Sequence, residues 1–118
     1  MVEKPKNIHA GHRQKVRDAY LAHGFNGEPT HRILEMLLFF GIPYRDTNET
    51  AHLLLERFGS FSNVLHATPQ QLRLVKGMTE NAAVLVSMIL PLYRRYEEEL
   101  TAQRPVLDSA EKIIQFIR

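Results

Sequence analysis

The sequence predicts an all-α protein: a compact bundle of about five to seven short helices, closed by a long, kinked C-terminal helix. Three observations lead there. Apolar residues recur at i, i+3, i+4 and i+7 along nearly the whole chain. Strand-like alternation is nowhere sustained over five residues. Cap and stop signals punctuate the helical stretches at short intervals. The 118 residues, 44% hydrophobic and 24% charged, suit one domain with its own core.

The first helix is expected over about residues 11 to 23. Val16, Ala19, Tyr20 and His23 share one face, and Gly24 is a good stop. Arg13 and Arg17, one turn apart, fall outside that stripe and are expected to face solvent or a partner. A loop carrying Asn26-Gly27 and Pro29 follows. Thr30 is the expected cap of a second helix running to about Phe40, apolar almost all round and therefore central. Gly41 and Pro43 end it. The turn "GIPYRDTNE" then offers Asp46 and Glu49 as a capping box for a third helix, whose inner stripe is Ala51, Leu54, Leu55 and Phe58.

After the Gly59 stop, Ser60 opens a short helical turn holding Phe61, Val64 and Leu65. Thr68-Pro69-Gln70-Gln71 combines a cap, a proline at N1 and a glutamine at N3. The brief helix that follows ends at Val75. The last long helix is expected from about Thr79 to Ala102, with Ala82, Leu85, Val86, Ile89, Tyr93 and Tyr96 on one side. Pro91 removes an N–H and crowds the carbonyl of Ser87, which predicts a kink there. Arg104-Pro105 is expected to break the chain. Asp108 and Glu111 then open an amphipathic tail with Ile113, Ile114 and Ile117.

Several classes of function lose support. Without cysteine there are no disulfides, thiolate zinc sites or cysteine nucleophiles. The six histidines form no HExxH helix and have no third ligand in sight, so no metal and no cofactor is expected. No nucleophile elbow or Walker loop exists, and Glu97-Glu98-Glu99 point in three directions on a helix, so no catalytic residue is assigned. The longest apolar run, residues 37–42, is too short for a bilayer, and the first six residues lack a signal-peptide core. The expectation is a cytoplasmic protein that avoids membranes.

Charge placement says more than the net +2. Residues 1–20 carry Lys4, Lys6, Arg13, Lys15 and Arg17 against only Glu3 and Asp18, a basic end that suits an acidic partner such as nucleic acid. The stretch "LRLVKGMTEN" adds a second candidate. Its apolar-x-Gly-apolar pattern is most of a helix-hairpin-helix turn, which holds a DNA phosphate on backbone N–H groups at a helix start. Such contacts are blind to base identity and strongly salt-dependent. Thr79 stands where a second glycine is usual. Its hydroxyl can occupy the N–H of Asn81 or Ala82, and Glu80 repels phosphate. These opposing effects are each about 1 kcal/mol, and they favour a packing turn over a phosphate seat.

The stretches "GHRQKVRDAYLAHG", "EMLLFFGIPYRDTNETAHLLLERFGSFSNVLHATPQQLRLVKGM" and "RPVLDSAEKIIQFIR" resemble the N-terminal helical domain of RadC-like (UPF0758) proteins. Pro43, Arg45, Asp46, Thr47 and Asn48 form the most family-specific segment; the part from Arg57 to Gly77 is shared by many helix-hairpin-helix proteins. The resemblance implies a SAM-like helix-hairpin-helix domain over residues 1–103. Residues 104–118 would be a linker and the opening of a JAB/MPN metalloprotease-like domain, whose zinc motif lies outside these 118 residues. Family members tend to read Pro-Gly-Ile-Gly where this chain has Lys76-Gly77-Met78-Thr79.

Two functions follow as expectations. One is a non-catalytic accessory domain of a DNA-repair-associated protein, binding DNA backbone phosphates through Arg13, Lys15, Arg17, Lys76, Gly77, Met78 and Thr79. The other is an interaction or regulatory module. It would use the loop Pro43, Tyr44, Arg45 and Asp46 to meet the downstream JAB/MPN domain, a second copy in a homodimer, or another protein.

Overall fold

The computed structural model describes residues 10–43 and 45–109, with side chains described from Gly11 to Gln103 except Tyr44. Six helices and no strand occur among the described residues: α1 (Ala10–His23), α2 (Thr30–Phe39), α3 (Thr47–Phe58), α4 (Phe61–His66), α5 (Pro69–Arg73) and α6 (Glu80–Ser109). The all-α expectation holds. No helix among the described residues is long and apolar enough to cross a membrane. The chain divides into two compact units between Ser87 and Met88.

The first unit holds the core. Leu34 and Leu38 of α2, Ala51 and Leu54 of α3, Val64 of α4, Leu72 of α5 and Ala82, Ala83 and Val86 of α6 are fully buried. Ile42, Ala67, Val75 and Met78, from the connecting turns, complete the cluster. The turns therefore pack as tightly as the helices. Gly41 shows why: a Cβ there would lie 2.5 Å from the Ala82 Cα, so only glycine lets the α2–α3 turn approach α6 this closely.

Local chemistry explains most boundaries. Thr68 accepts from the Gln71 N–H while the Gln71 side chain accepts from the Thr68 N–H, with Pro69 at N1. Ser60 caps α4 through the Asn63 N–H. Gly59 ends α3 in the left-handed region at φ 93°. Other expectations need correction. Pro29, not Thr30, is the N-cap of α2; having no side-chain acceptor, it contributes its carbonyl, which accepts from Arg32 and Ile33. Asp46 caps α3 by accepting from the Asn48 N–H, but Glu49 does not close a box and lies 3.9 Å from Lys76 Nζ instead.

The apolar stripe assigned to α1 is only partly inside. Val16 is buried, Ala19 is half-buried, and Tyr20 and His23 are exposed. Helix α6 also departs from expectation. Arg104-Pro105 does not break it, since the helix runs through Pro105 to Ser109. It passes through Pro91 without interruption. Its stripe is buried only as far as Val86; Tyr93 and Tyr96 are exposed. The tail with Glu111, Ile113, Ile114 and Ile117 and the basic residues Lys4 and Lys6 lie outside the described residues.

Candidate interaction site

The hairpin between α5 and α6 forms as the sequence predicts, and it is built into the core. Met78 is buried and donates its N–H to the Val75 carbonyl at 3.1 Å. Gly77 takes φ 93°, a conformation that L side chains rarely adopt, and a Cβ there would collide with the Thr50 hydroxyl of α3. That hydroxyl in turn donates to the Lys76 carbonyl at 3.4 Å.

Thr79 is the N-cap of α6. Its Oγ1 accepts from the Ala82 N–H at 3.0 Å and donates to the Gly41 carbonyl at 2.6 Å. One hydroxyl thus closes part of the helix start and ties it to the α2–α3 turn. The N–H groups of Gly77, Thr79, Glu80 and Asn81 find no acceptor among the described residues. Their electrostatic surroundings are mixed: Lys76 is positive, Glu80 is negative, and Glu49 faces Lys76.

The candidates on α1 separate. Lys15 is exposed and Arg17 half-buried, whereas Arg13 is only 9% exposed, which corrects the expectation that it faces solvent. Its guanidinium donates to the carbonyls of Phe39 (3.2 Å), Ile42 (2.6 Å) and Arg45 (2.8 Å) and sits 4.7 Å from the centre of the Phe39 ring. A cation thus meets the negative C-terminal end of α2 and three carbonyls of one turn. Burial draws this guanidinium below the ordinary arginine range; Arg17 adds to the effect and Glu35 opposes it.

Sequence reasoning missed Glu35 altogether. It is 1% exposed, on α2, with His12 Nε2 at 2.8 Å and Arg32 Nε at 3.6 Å. The clue was a lone carboxylate inside an otherwise apolar helix, with histidine and arginine in reach from α1 and its own previous turn. The cluster contains no reactive geometry beyond ion pairing. His31 and His52 stack with ring centres 4.4 Å apart, bringing α2 and α3 together. No group of three or more histidine or acidic side chains among the described residues could hold a metal.

In the α2–α3 loop, Pro43, Arg45 and Asp46 are exposed, and Tyr44 lies outside the described residues. Asp46 is engaged as a cap and the Arg45 carbonyl is held by Arg13, so the loop is a braced element. Beside it, a groove between α3 and the hairpin is lined by Glu49, Leu53, Glu56, Arg57, Leu74, Val75 and Lys76. Leu74 is 69% exposed at its edge. Its rim carries both charge signs, Glu49 and Glu56 with Arg57 and Lys76.

No protein-family model matches the chain, and no solved structure matches it. Curated relatives do. A UPF0758 protein of Ruegeria pomeroyi is 30% identical over 105 residues, covering 89% of this chain and 47% of the relative. The chain belongs to the UPF0758 family. A UPF0758 protein of Rhodobacter capsulatus is 32% identical over 101 residues, covering 86% of this chain and 47% of its own length. One from Fusobacterium nucleatum is 33% identical over 79 residues, covering 67% and 34%. This UPF0758 chain therefore spans about half, or less, of the length of the curated relatives it matches.

Proposed function

We propose that this UPF0758 chain is a non-catalytic docking module, and that the groove between α3 and the α5–α6 hairpin receives another part of the family's longer polypeptide. The exposed Leu74 over the Leu53 and Val75 floor carries this reading, because an apolar patch rimmed by both charges is the composition of a protein contact. The length of the relatives, about twice the matched region, supplies the polypeptide that would fill it. By the family resemblance that part would be a JAB/MPN-type domain. Leu74→Glu places a charge at the patch without touching the core. It should abolish binding of the separately expressed remainder in calorimetry. Undiminished binding by the variant, or no binding by the unaltered chain, would refute the assignment.

The second reading is sequence-independent DNA binding. Lys15 and Arg17 on α1 and the unpaired N–H groups of Gly77, Glu80 and Asn81 favour it. Arg13 and Met78 do not contribute contacts in this reading, being buried, and the Thr79 hydroxyl is already engaged. Fluorescence anisotropy across a salt series tests it: binding at low salt, lost in Lys15→Glu/Arg17→Glu, would support it, and no binding at low salt would end it.

A further inference from the structure

In the second unit, residues 88–100 of α6 carry a run of apolar side chains that are exposed or half-buried. Met88, Leu92, Tyr93 and Tyr96 are all exposed, and Ile89 and Leu100 are half-buried. At 100° per residue these six lie within a sector of about 140°, one continuous face. A helix of about 20 residues owes most of its stability in water to packing of such a face.

The charges beside the stripe show what fits it. By the same spacing Arg95 and Glu99 lie at one edge of the stripe and Glu97 beyond the other, whereas Arg94 and Glu98 lie on the far side of the helix. Arg95 and Glu99, two residues to either side of Glu97 on one edge, are self-complementary under a two-fold axis level with Glu97. An antiparallel copy brings like edges together and sets Arg95 against Glu99 twice under one two-fold axis. Within the chain Arg95 lies 3.7 Å from Glu98 with both side chains well exposed, a weak contact, and Tyr93 donates to Glu97 at 2.7 Å along the same helix.

We propose that the second half of α6 pairs antiparallel with the same helix of a second copy. The two-fold axis lies level with Glu97, and Arg95 faces Glu99 across it. Leu92, Tyr93 and Tyr96 of both copies fill the seam as aromatic and aliphatic knobs. The arrangement closes as a dimer, since each copy uses the same patch.

Sedimentation of the full chain over a hundredfold concentration range should show a monomer–dimer equilibrium. Leu92→Glu/Tyr96→Glu should give monomer throughout, with the helical circular dichroism of the first unit retained. Arg95→Glu and Glu99→Lys should each weaken self-association at least tenfold, and mixing the two variants should restore a heterodimer. Because the chain has no cysteine, Gln103→Cys takes a single spin label. Antiparallel pairing puts the two labelled backbones about 20 Å apart, parallel pairing about 10 Å. A monomer at every concentration, a dimer indifferent to both charge reversals, or the shorter label distance would overturn the proposal.

Discussion

Replacing Arg13 by methionine separates a structural arginine from a DNA-contacting one. The apolar stem is kept and the guanidinium removed, so the carbonyls of Phe39, Ile42 and Arg45 lose their donors and the Phe39 ring loses its cation. Each stranded buried acceptor costs about 1–3 kcal/mol, and the lost ring contact about 0.5–1 kcal/mol. Arg45 is exposed, so water can reach that carbonyl and offset its share. The expected loss is about 3–5 kcal/mol, a large fraction of the 5–15 kcal/mol by which domains are typically stable. In a domain of this size Tm should fall by at least about 12 °C. Urea denaturation followed by circular dichroism measures the loss directly. Arg13→Lys should recover only part of it, because an ammonium does not reproduce the planar fork across three carbonyls. Arg17→Met is the matched control and should stay within about 0.5 kcal/mol. A loss below about 1 kcal/mol in Arg13→Met, or an equal effect in Arg17→Met, would refute the brace. Lost DNA affinity at unchanged stability would return Arg13 to the surface role expected of it from the sequence.

The remaining expectations are as direct. Gly77→Ala should destabilise by about 2–3 kcal/mol, combining a strained positive φ with the clash at Thr50; adding Thr50→Ala should remove the clash and leave about 1 kcal/mol in the same denaturation assay. Thr79→Val should cost about 1–2 kcal/mol and speed amide exchange at Ala82, whereas Thr79→Ser should keep both, since the hydroxyl alone makes the two bonds; equal exchange in both variants would argue against the cap. Tyr93 ionisation is raised above the ordinary tyrosine range, first by the hydrogen bond its hydroxyl donates to Glu97 at 2.7 Å and then by that carboxylate's charge. The neutral phenol is the favoured form, so its contribution is present below the unfolded-state value and is lost as pH rises through the raised one. Absorbance titration should show one late tyrosine that returns to the ordinary range in Glu97→Gln.

Cap chemistry made much of the fold legible from the chain. Thr68 with Gln71, Ser60 and Asp46 each satisfy orphan N–H groups within a few residues, and Gly59 and Gly77 supply positive φ, so these boundaries depend on near neighbours alone. The central place of α2 was readable from its being apolar almost all round, and the inner stripe of α3 from Ala51 and Leu54 at helical spacing, although Leu55 and Phe58 are only partly buried. The fates of Arg13 and Glu35 were not readable. A polar side chain goes inside only where other elements bring it partners, and those partners lie more than twenty residues away, in the α2–α3 turn for Arg13 and on α1 for Glu35. The candidate site divides the same way. That the hairpin exists, and that Thr79 weakens its use as a phosphate seat, follows from local hydrogen-bonding capacity. The second bond of Thr79, to Gly41 thirty-eight residues away, and the groove that sets Leu74 beside Leu53 were decided by tertiary packing. Periodicity and caps tell a chain where to turn; only the assembled core settles which charged groups it can hold inside and which apolar ones it leaves out.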